Sequence, residues 1–240
     1  MLRNNYSCAV LFIHGILETP RYFDFLTTAI PKNCKAYFLQ LKGNKGSVRD
    51  FSAVSMSVWK RQVRAAVKKL LKENQELIIA AHSMGTLFAI EESVKNPSIK
   101  LFLINVPLKI QIRSQMLRTC LKIFLDKVKP SDMQALAAKK SYGIEKDKNI
   151  FHYIGWIPNY LSLFSEIGYV KGLLKELTSP CLAYFSLNDE IVSAKSAGLL
   201  KSCPSVKVKL LKKSGHYYYS EGDTEILRRD FINMIIMLSS

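Results

Sequence analysis

At 240 residues, with 48% hydrophobic side chains and a mean hydropathy of +0.05, the chain has the size and apolar content to bury one full core, which excludes a disordered polypeptide. Lys and Arg number 35 against 19 Asp and Glu, a formal net charge of +16, yet no apolar run approaches the length of a membrane span. Basic residues are scattered through helices and loops, with no nucleic-acid-binding motif beside them. Nucleic acid is therefore not an expected partner; solvated faces are the simpler reading, and weak attraction to anionic substrates or surfaces is the other.

In chain order, strand and helix patterns alternate, which predicts an α/β protein with a mostly parallel sheet and helices on both faces. Strands are expected near Cys8–Ile13, Ala36–Leu41, Leu77–Ala81, Ile99–Asn105, Cys181–Leu187 and Val206–Leu211. Helices are expected near Arg21–Ile30, Ser52–Glu73, Met84–Val94, Ser193–Lys201 and Thr224–Leu238. In the second helix Val54, Val58, Val63, Ala66, Val67, Leu70 and Leu71 make an apolar stripe, with its lysines and arginines facing out. From Val106 to about Thr178 the alternation stops: Gln111–Val128 and Ser131–Lys140 read as helices, and an aromatic stretch follows from Phe151 to Tyr160. The expected division is a core of residues 1–105 and 179–240 with an insertion at 106–178. The N-terminal residues enter the first strand almost at once, so no leader segment is expected and the compartment is read as cytoplasmic. Cys8, Cys34, Cys120, Cys181 and Cys203 are odd in number and have no paired spacing, which suits reduced thiols and argues against metal ligation.

Ala81-His82-Ser83-Met84-Gly85 joins a predicted strand to a predicted helix. A sharp turn there pushes the Ser83 hydroxyl out of the sheet edge, and it brings the residues two before and two after the serine together, so both must be small. The serine also sits at a helix N-terminus, where free amides favour developing negative charge. A nucleophilic serine needs a base and an acid to orient that base. His216 follows the strand Val206–Leu211, and Asp189 lies just past the strand Cys181–Leu187; the order Ser83, Asp189, His216 places all three at strand C-termini. His14-Gly15-Ile16-Leu17 follows the first strand, where Gly15 permits a turn that aims an amide at a substrate carbonyl. Of the other candidates, Glu190 is one residue past the acid position and Asn105 cannot serve as an acid. His14 is expected to hold its own loop, His82 to point away from the hydroxyl, and His152 to be satisfied or exposed. Tyr217, Tyr218 and Tyr219 either line a pocket or pack ordinarily.

On His14-Gly15, Ala81-His82-Ser83-Met84-Gly85, Asp189-Glu190-Ile191-Val192 and Gly215-His216, the sequence resembles the α/β-hydrolase superfamily, within it the small carboxylesterase and monoacylglycerol-lipase group. Ala81 departs from the glycine usual at that position. The resemblance implies an α/β-hydrolase fold of about six strands, with the helical insertion acting as a cap between the fourth and fifth. It also implies Ser83 as nucleophile, His216 as base, Asp189 as acid, and the Ile16 and Met84 amides as oxyanion donors. A carboxylic-ester hydrolase taking a small-molecule ester with an apolar acyl group is then expected, with no metal or organic cofactor. Alternatives are an acyl thioesterase acting on an anionic CoA or carrier-protein ester, and a non-catalytic binding protein of the same fold.

Overall fold

In the computed structural model, which describes residues 8–28 and 30–236, six strands form one sheet in the order β2-β1-β3-β4-β5-β6, and every neighbouring pair is parallel. β1 (Cys8–Ile13) and β6 (Val206–Leu211) have their expected bounds. β2 (Cys34–Leu39), β3 (Glu76–His82), β4 (Lys100–Ile104) and β5 (Cys181–Ser186) differ from expectation by one or two residues at an end. Side chains of a strand alternate between faces. Ala9, Leu11 and Ile13 therefore enter one core layer with Leu87 and Phe88, while Cys8, Val10 and Phe12 enter the other with Phe102 and Phe231. Burial on both faces is why the central strands read as continuous apolar runs.

The chain steps from β1 outward to β2, then crosses back over β1 to β3. This reversal opens a crevice beyond the C-terminal ends of β1 and β3, the place where open α/β sheets hold their sites. Register pairs Ile13 with Ala81, so the loop after β1 lies beside the turn after β3.

Several helices differ from expectation, for local reasons. The first becomes a 3-10 turn over Pro20–Phe23 and a short α1 (Asp24–Thr27); Ile30, next to Pro31, is disfavoured in helix, and residue 29 lies outside the described set. The second splits into α2 (Val48–Ser52) and α3 (Met56–Glu73). A capping box starts α2: Asp50 N–H donates to Ser47 Oγ, and the Ser47 amide donates to Asp50 Oδ2 at 2.8 Å. Restarting at Met56 resets the phase, so Met56, Trp59, Val63, Val67 and Leu70 are the buried stripe of α3; Val58 is half-buried and Val54 precedes the helix. Nor is the basic side of α3 merely solvated. Lys60 pairs with Glu91 at 2.7 Å and Glu166 at 2.9 Å, and Arg64 pairs with Glu91 and Glu92. α4 (Met84–Lys95) is nearly as expected, α8 (Ser196–Lys201) is three residues shorter, and α9 (Glu221–Ile236) starts three residues early. The expected extension of that last helix to Leu238, like the expectation for residues 1–7, lies outside the described residues.

Between β4 and β5 come α5 (Ser114–Phe124), α6 (Met133–Ser141), a 3-10 turn (Ile150–Trp156) and α7 (Ile157–Leu173). α5 starts later than expected because Gln111 and Arg113 are used otherwise: their amides donate to Ile191 and Glu190 carbonyls, tying this stretch to the loop after β5. The segment 106–178 is not uniform. α7 buries Leu163, Ile167 and Val170 in the main core and is held to α3 by Lys60–Glu166, so it packs as part of the body. α5 buries Thr119 alone, and α6 buries Ala135, Ala138 and Ser141. No helix among the described residues is long and apolar enough to cross a membrane.

Candidate active site

Ser83 is the whole turn between β3 and α4, with φ +49° and ψ −125°. A non-glycine residue there stores strain of about 1–3 kcal/mol. The surroundings hold it: the Ser83 amide donates to the Ile104 carbonyl at 3.0 Å, and its own carbonyl accepts from the Thr86 amide and from Thr86 Oγ1. Gly85 packs against the end of β1 so closely that a Cβ would sit 2.3 Å from the Ile13 carbonyl oxygen. Ala81, the other small position, is fully buried in β3, and its methyl group is accommodated in the core.

Asp189 follows β5. Its Oδ1 accepts the amides of Ile191 at 2.7 Å and Val192 at 2.6 Å, which locks the loop as an Asx-type turn. That leaves Oδ2 facing His216 Nδ1 at 2.7 Å. Glu190, the rival acid, turns the other way and accepts the His216 backbone amide at 2.9 Å. Burial alone would depress the His216 imidazole, but Asp189, with Glu18 and Glu190 behind it, outweighs that and holds its pKa above the ordinary value. Ser83 and His216 lie together on the wall of a cavity of about 760 Å³. Its lining is almost entirely apolar, with Ile16 and Leu17 from the β1 loop, Leu121 and Phe124 from α5, and Trp156 and Leu163 further along.

The β1 loop is braced on several sides. His14 points Nδ1 at the Gly15 carbonyl and accepts the Leu41 amide at Nε2, 3.1 Å away; burial lowers its pKa to about 4, so it is neutral. The Leu17 amide donates to Asn44 Oδ1 at 2.7 Å. The Ile16 amide has no hydrogen-bond partner among the described residues, and Met84 opens α4, where amides lack partners within the helix.

One pair escaped the sequence reading. Glu18, 1% exposed, accepts the Gly15 amide at 2.7 Å and faces His82 Nδ1 at 3.0 Å. Burial pushes this carboxyl up, yet His82 more than offsets it and the pKa is lowered; burial also depresses the His82 imidazole. The His82 ring stacks on Tyr22 at 3.8 Å and lies 4.6 Å from the His216 ring, and its Nε2 is buried with no partner among the described residues. The only signal in the sequence is an acid three residues past Gly15 and a histidine before Ser83.

Glu18, His82 and His216 present ligand-type atoms within 4.8 Å of one another, a donor set that suits a borderline cation. Glu18 faces His82 and Asp189 engages His216, though Glu18 Oε1 and His82 Nε2 are left without hydrogen-bond partners among the described residues. Elsewhere, His152 is bound by Asp147 and Arg49. Asn105, with φ +53°, accepts the Ser186 amide at 2.9 Å. Tyr217 lines the cavity, the Tyr218 carbonyl accepts the Gly215 amide, and Tyr219 bonds Tyr22 and Asn105.

No protein-family model matches the sequence, and no curated protein does either. Solved structures do match, and they make the architecture the α/β-hydrolase fold. A metagenome-derived lipolytic enzyme superposes with a TM-score of 0.73 at 19% identity, over 96% of this chain and 95% of its own. A soluble variant of the monoglyceride lipase of Saccharomyces cerevisiae, solved with a substrate analogue, gives 0.70 at 15% identity over 98% and 88%. The monoacylglycerol lipase of Paleococcus ferrophilus gives 0.63 at 15% identity over 98% and 96%.

Proposed function

We propose that the chain hydrolyses carboxylic esters through an acyl-enzyme on Ser83. The observation that carries this reading is the buried His216–Asp189 contact of 2.7 Å, with His216 sharing a cavity wall with the strained Ser83 turn. Asp189 keeps the His216 proton on Nδ1, which leaves Nε2 as the base for the Ser83 hydroxyl. His216 removes that proton during attack and returns it to the leaving alcohol; a water activated the same way then releases the acid. Amides of Ile16 and Met84 receive the oxyanion, each donor worth about 3 kcal/mol. α5, α6 and the turn after them serve as the cap, and their apolar side chains take the acyl group. The lipolytic neighbours support the ester class, and five free thiols suit a reducing cytoplasmic setting.

The test is hydrolysis of p-nitrophenyl esters from acetate to laurate by wild type beside Ser83→Ala. Turnover should fall by on the order of 10⁴-fold in the variant, with an unchanged melting temperature. Near-wild-type activity in Ser83→Ala removes the assignment.

A further inference from the structure

Glu18, His82 and His216 are buried, and each offers an electron-pair donor atom within 4.8 Å of those of the other two. Two polar atoms of the cluster stay unmatched: Glu18 Oε1 and His82 Nε2 have no hydrogen-bond partner among the described residues. Buried polar atoms are ordinarily paired, so two at one spot need a physical cause. Both are acceptors. A neutral imidazole has one N–H and one lone pair; with the N–H of His82 on Nδ1, toward the Glu18 carboxylate, the lone pair lies on Nε2. An electron-pair acceptor would match both atoms, and an anion would match neither.

Charge around the cluster has one sign. Carboxylates lie 3.0 Å from His82 Nδ1 (Glu18), 2.7 Å from His216 Nδ1 (Asp189) and 2.9 Å from the His216 amide (Glu190). Among the described residues none of these three acids pairs with a Lys or Arg, in a chain whose net charge is +16. Buried charge of this kind favours a counter-charge in contact with it. His216 is also oriented as a ligand. An imidazole that binds metal ordinarily gives its other nitrogen to a carboxylate, which fixes the tautomer. Asp189 does this at Nδ1, so the contact that readies His216 Nε2 as a base readies it equally for a cation. Two imidazoles and one carboxylate, with a fourth position left open, are a zinc donor set. Tetrahedral bonds of about 2.0–2.1 Å set ligand atoms about 3.3 Å apart, which the cluster reaches by side-chain shifts of about an ångström. Of the three residues only His216 lines the cavity, so a cation enters past it.

From this we infer that Glu18, His82 and His216 form a site for a divalent cation of the zinc type, and that the bound cation switches off the Ser83 centre. The inhibition rests on the ester-hydrolase reading, because one Nε2 lone pair cannot both bind a cation and accept the Ser83 proton. The binding itself does not rest on it. A buried water would also match the two acceptors, but it would not answer the charge of three carboxylates.

The experiment is calorimetric titration of the chelator-treated full chain with Zn²⁺ at neutral pH, beside the absorption spectrum of the Co²⁺-loaded protein. Wild type and Ser83→Ala should each bind one Zn²⁺ with the same affinity. Glu18→Gln and His82→Gln should each weaken binding by about tenfold or more, with thermal melts reporting that they are folded. Zn²⁺ should also inhibit turnover of a water-soluble ester, half-maximally where the calorimetric site is half filled, and EDTA should restore it. Cys8 and Cys34, with sulfurs 2.8 Å apart, are a competing donor pair. Cobalt held by thiolates gives a near-ultraviolet charge-transfer band, whereas the proposed nitrogen and oxygen ligands give none. This spectrum of the wild-type protein keeps the test decisive if a glutamine variant fails to fold. Absence of binding, binding that neither variant weakens, or a thiolate band overturns the site and leaves water to match the two acceptors. Ester turnover that persists with the site filled overturns His216 as a ligand. One Zn²⁺ bound through Glu18 and His82 in a chain without ester turnover would uphold the site and remove only the hydrolase reading.

Discussion

Replacing Glu18 by glutamine separates what a buried carboxylate does here from what its shape does. The carboxylate faces two donors at once, the Gly15 amide at 2.7 Å and His82 Nδ1 at 3.0 Å. Both meet the same oxygen, Oε2, while Oε1 is buried without a hydrogen-bond partner among the described residues, so a glutamine that keeps its oxygen on the two donors buries its NH₂ unmatched. An unmatched buried donor costs about 1–3 kcal/mol. In a chain of this size, roughly 2–4 °C per kcal/mol translates that into a melting temperature lower by several degrees. A second effect is electrostatic. The groups facing His216 are Asp189, Glu190, Glu18 and His82; burial pushes the imidazole down, and the three carboxylates more than restore it. His216 must be neutral to accept the Ser83 proton, so activity is lost as pH falls through its raised pKa, and the acid limb of kcat/KM should lie above the ordinary imidazole value of about 6.5. Removing the Glu18 charge lowers that pKa and moves the limb to lower pH. Loosening of the Gly15–Ile16 turn should reduce kcat more than it changes KM, as expected for donors used mainly in the transition state. The assay is kcat and KM for a water-soluble ester across neutral pH, beside a thermal melt. A variant that melts lower but keeps an unmoved acid limb and wild-type kcat would reduce Glu18 to a packing role and refute the electrostatic argument.

Asp189→Asn should lower kcat by on the order of 10³–10⁴-fold in steady-state assays: the amide oxygen is needed by the Ile191 and Val192 amides, so the NH₂ faces His216 Nδ1 and favours the wrong tautomer. Gly85→Ala places a methyl group 2.3 Å from the Ile13 carbonyl oxygen and 2.7 Å from that of His14, and backbone cannot step aside; about 1–3 kcal/mol of stability should be lost in urea denaturation, together with most activity. Cys120→Trp fills part of the cavity and should shift the p-nitrophenyl ester optimum toward shorter acyl chains; an unchanged optimum would show that the acyl group lies elsewhere.

The parallel sheet was legible because strands buried on both faces leave unbroken apolar runs, and β1 and β6 emerge with their expected ends. Helices were less so where local hydrogen bonding overrode periodicity. The Ser47–Asp50 capping box creates α2, and the gap after it moves the apolar phase of α3 from Val58 to Trp59. The insertion was visible as a loss of alternation, but periodicity does not say which helix packs on the body. In α7, Leu163, Ile167 and Val170 repeat at three or four residues much as Leu117, Leu121 and Phe124 do in α5. The first set meets the main core and the second lines a cavity. Only the partner surface distinguishes them.

At the site, strand ends and spacing brought Ser83, Asp189 and His216 within reach of inference, since each lies in the first few residues after a strand. Position alone set Asp189 apart from Glu190, which lies one residue past the acid position. The loop decides it physically: Oδ1 of the shorter side chain closes a turn on the next two amides and so aims Oδ2 at the imidazole, while the longer side chain reaches past to the His216 backbone. The two acids thus hold one histidine at its ring and at its main chain, and exchanging them would leave neither contact. Glu18 was invisible for the opposite reason. Its partner His82 lies 64 residues away, and what joins them is the β1–β3 register that sets the two loops side by side. A contact made by sheet register carries no local pattern in sequence, and this one links the loop that would receive the oxyanion to the turn that carries Ser83, the proposed nucleophile.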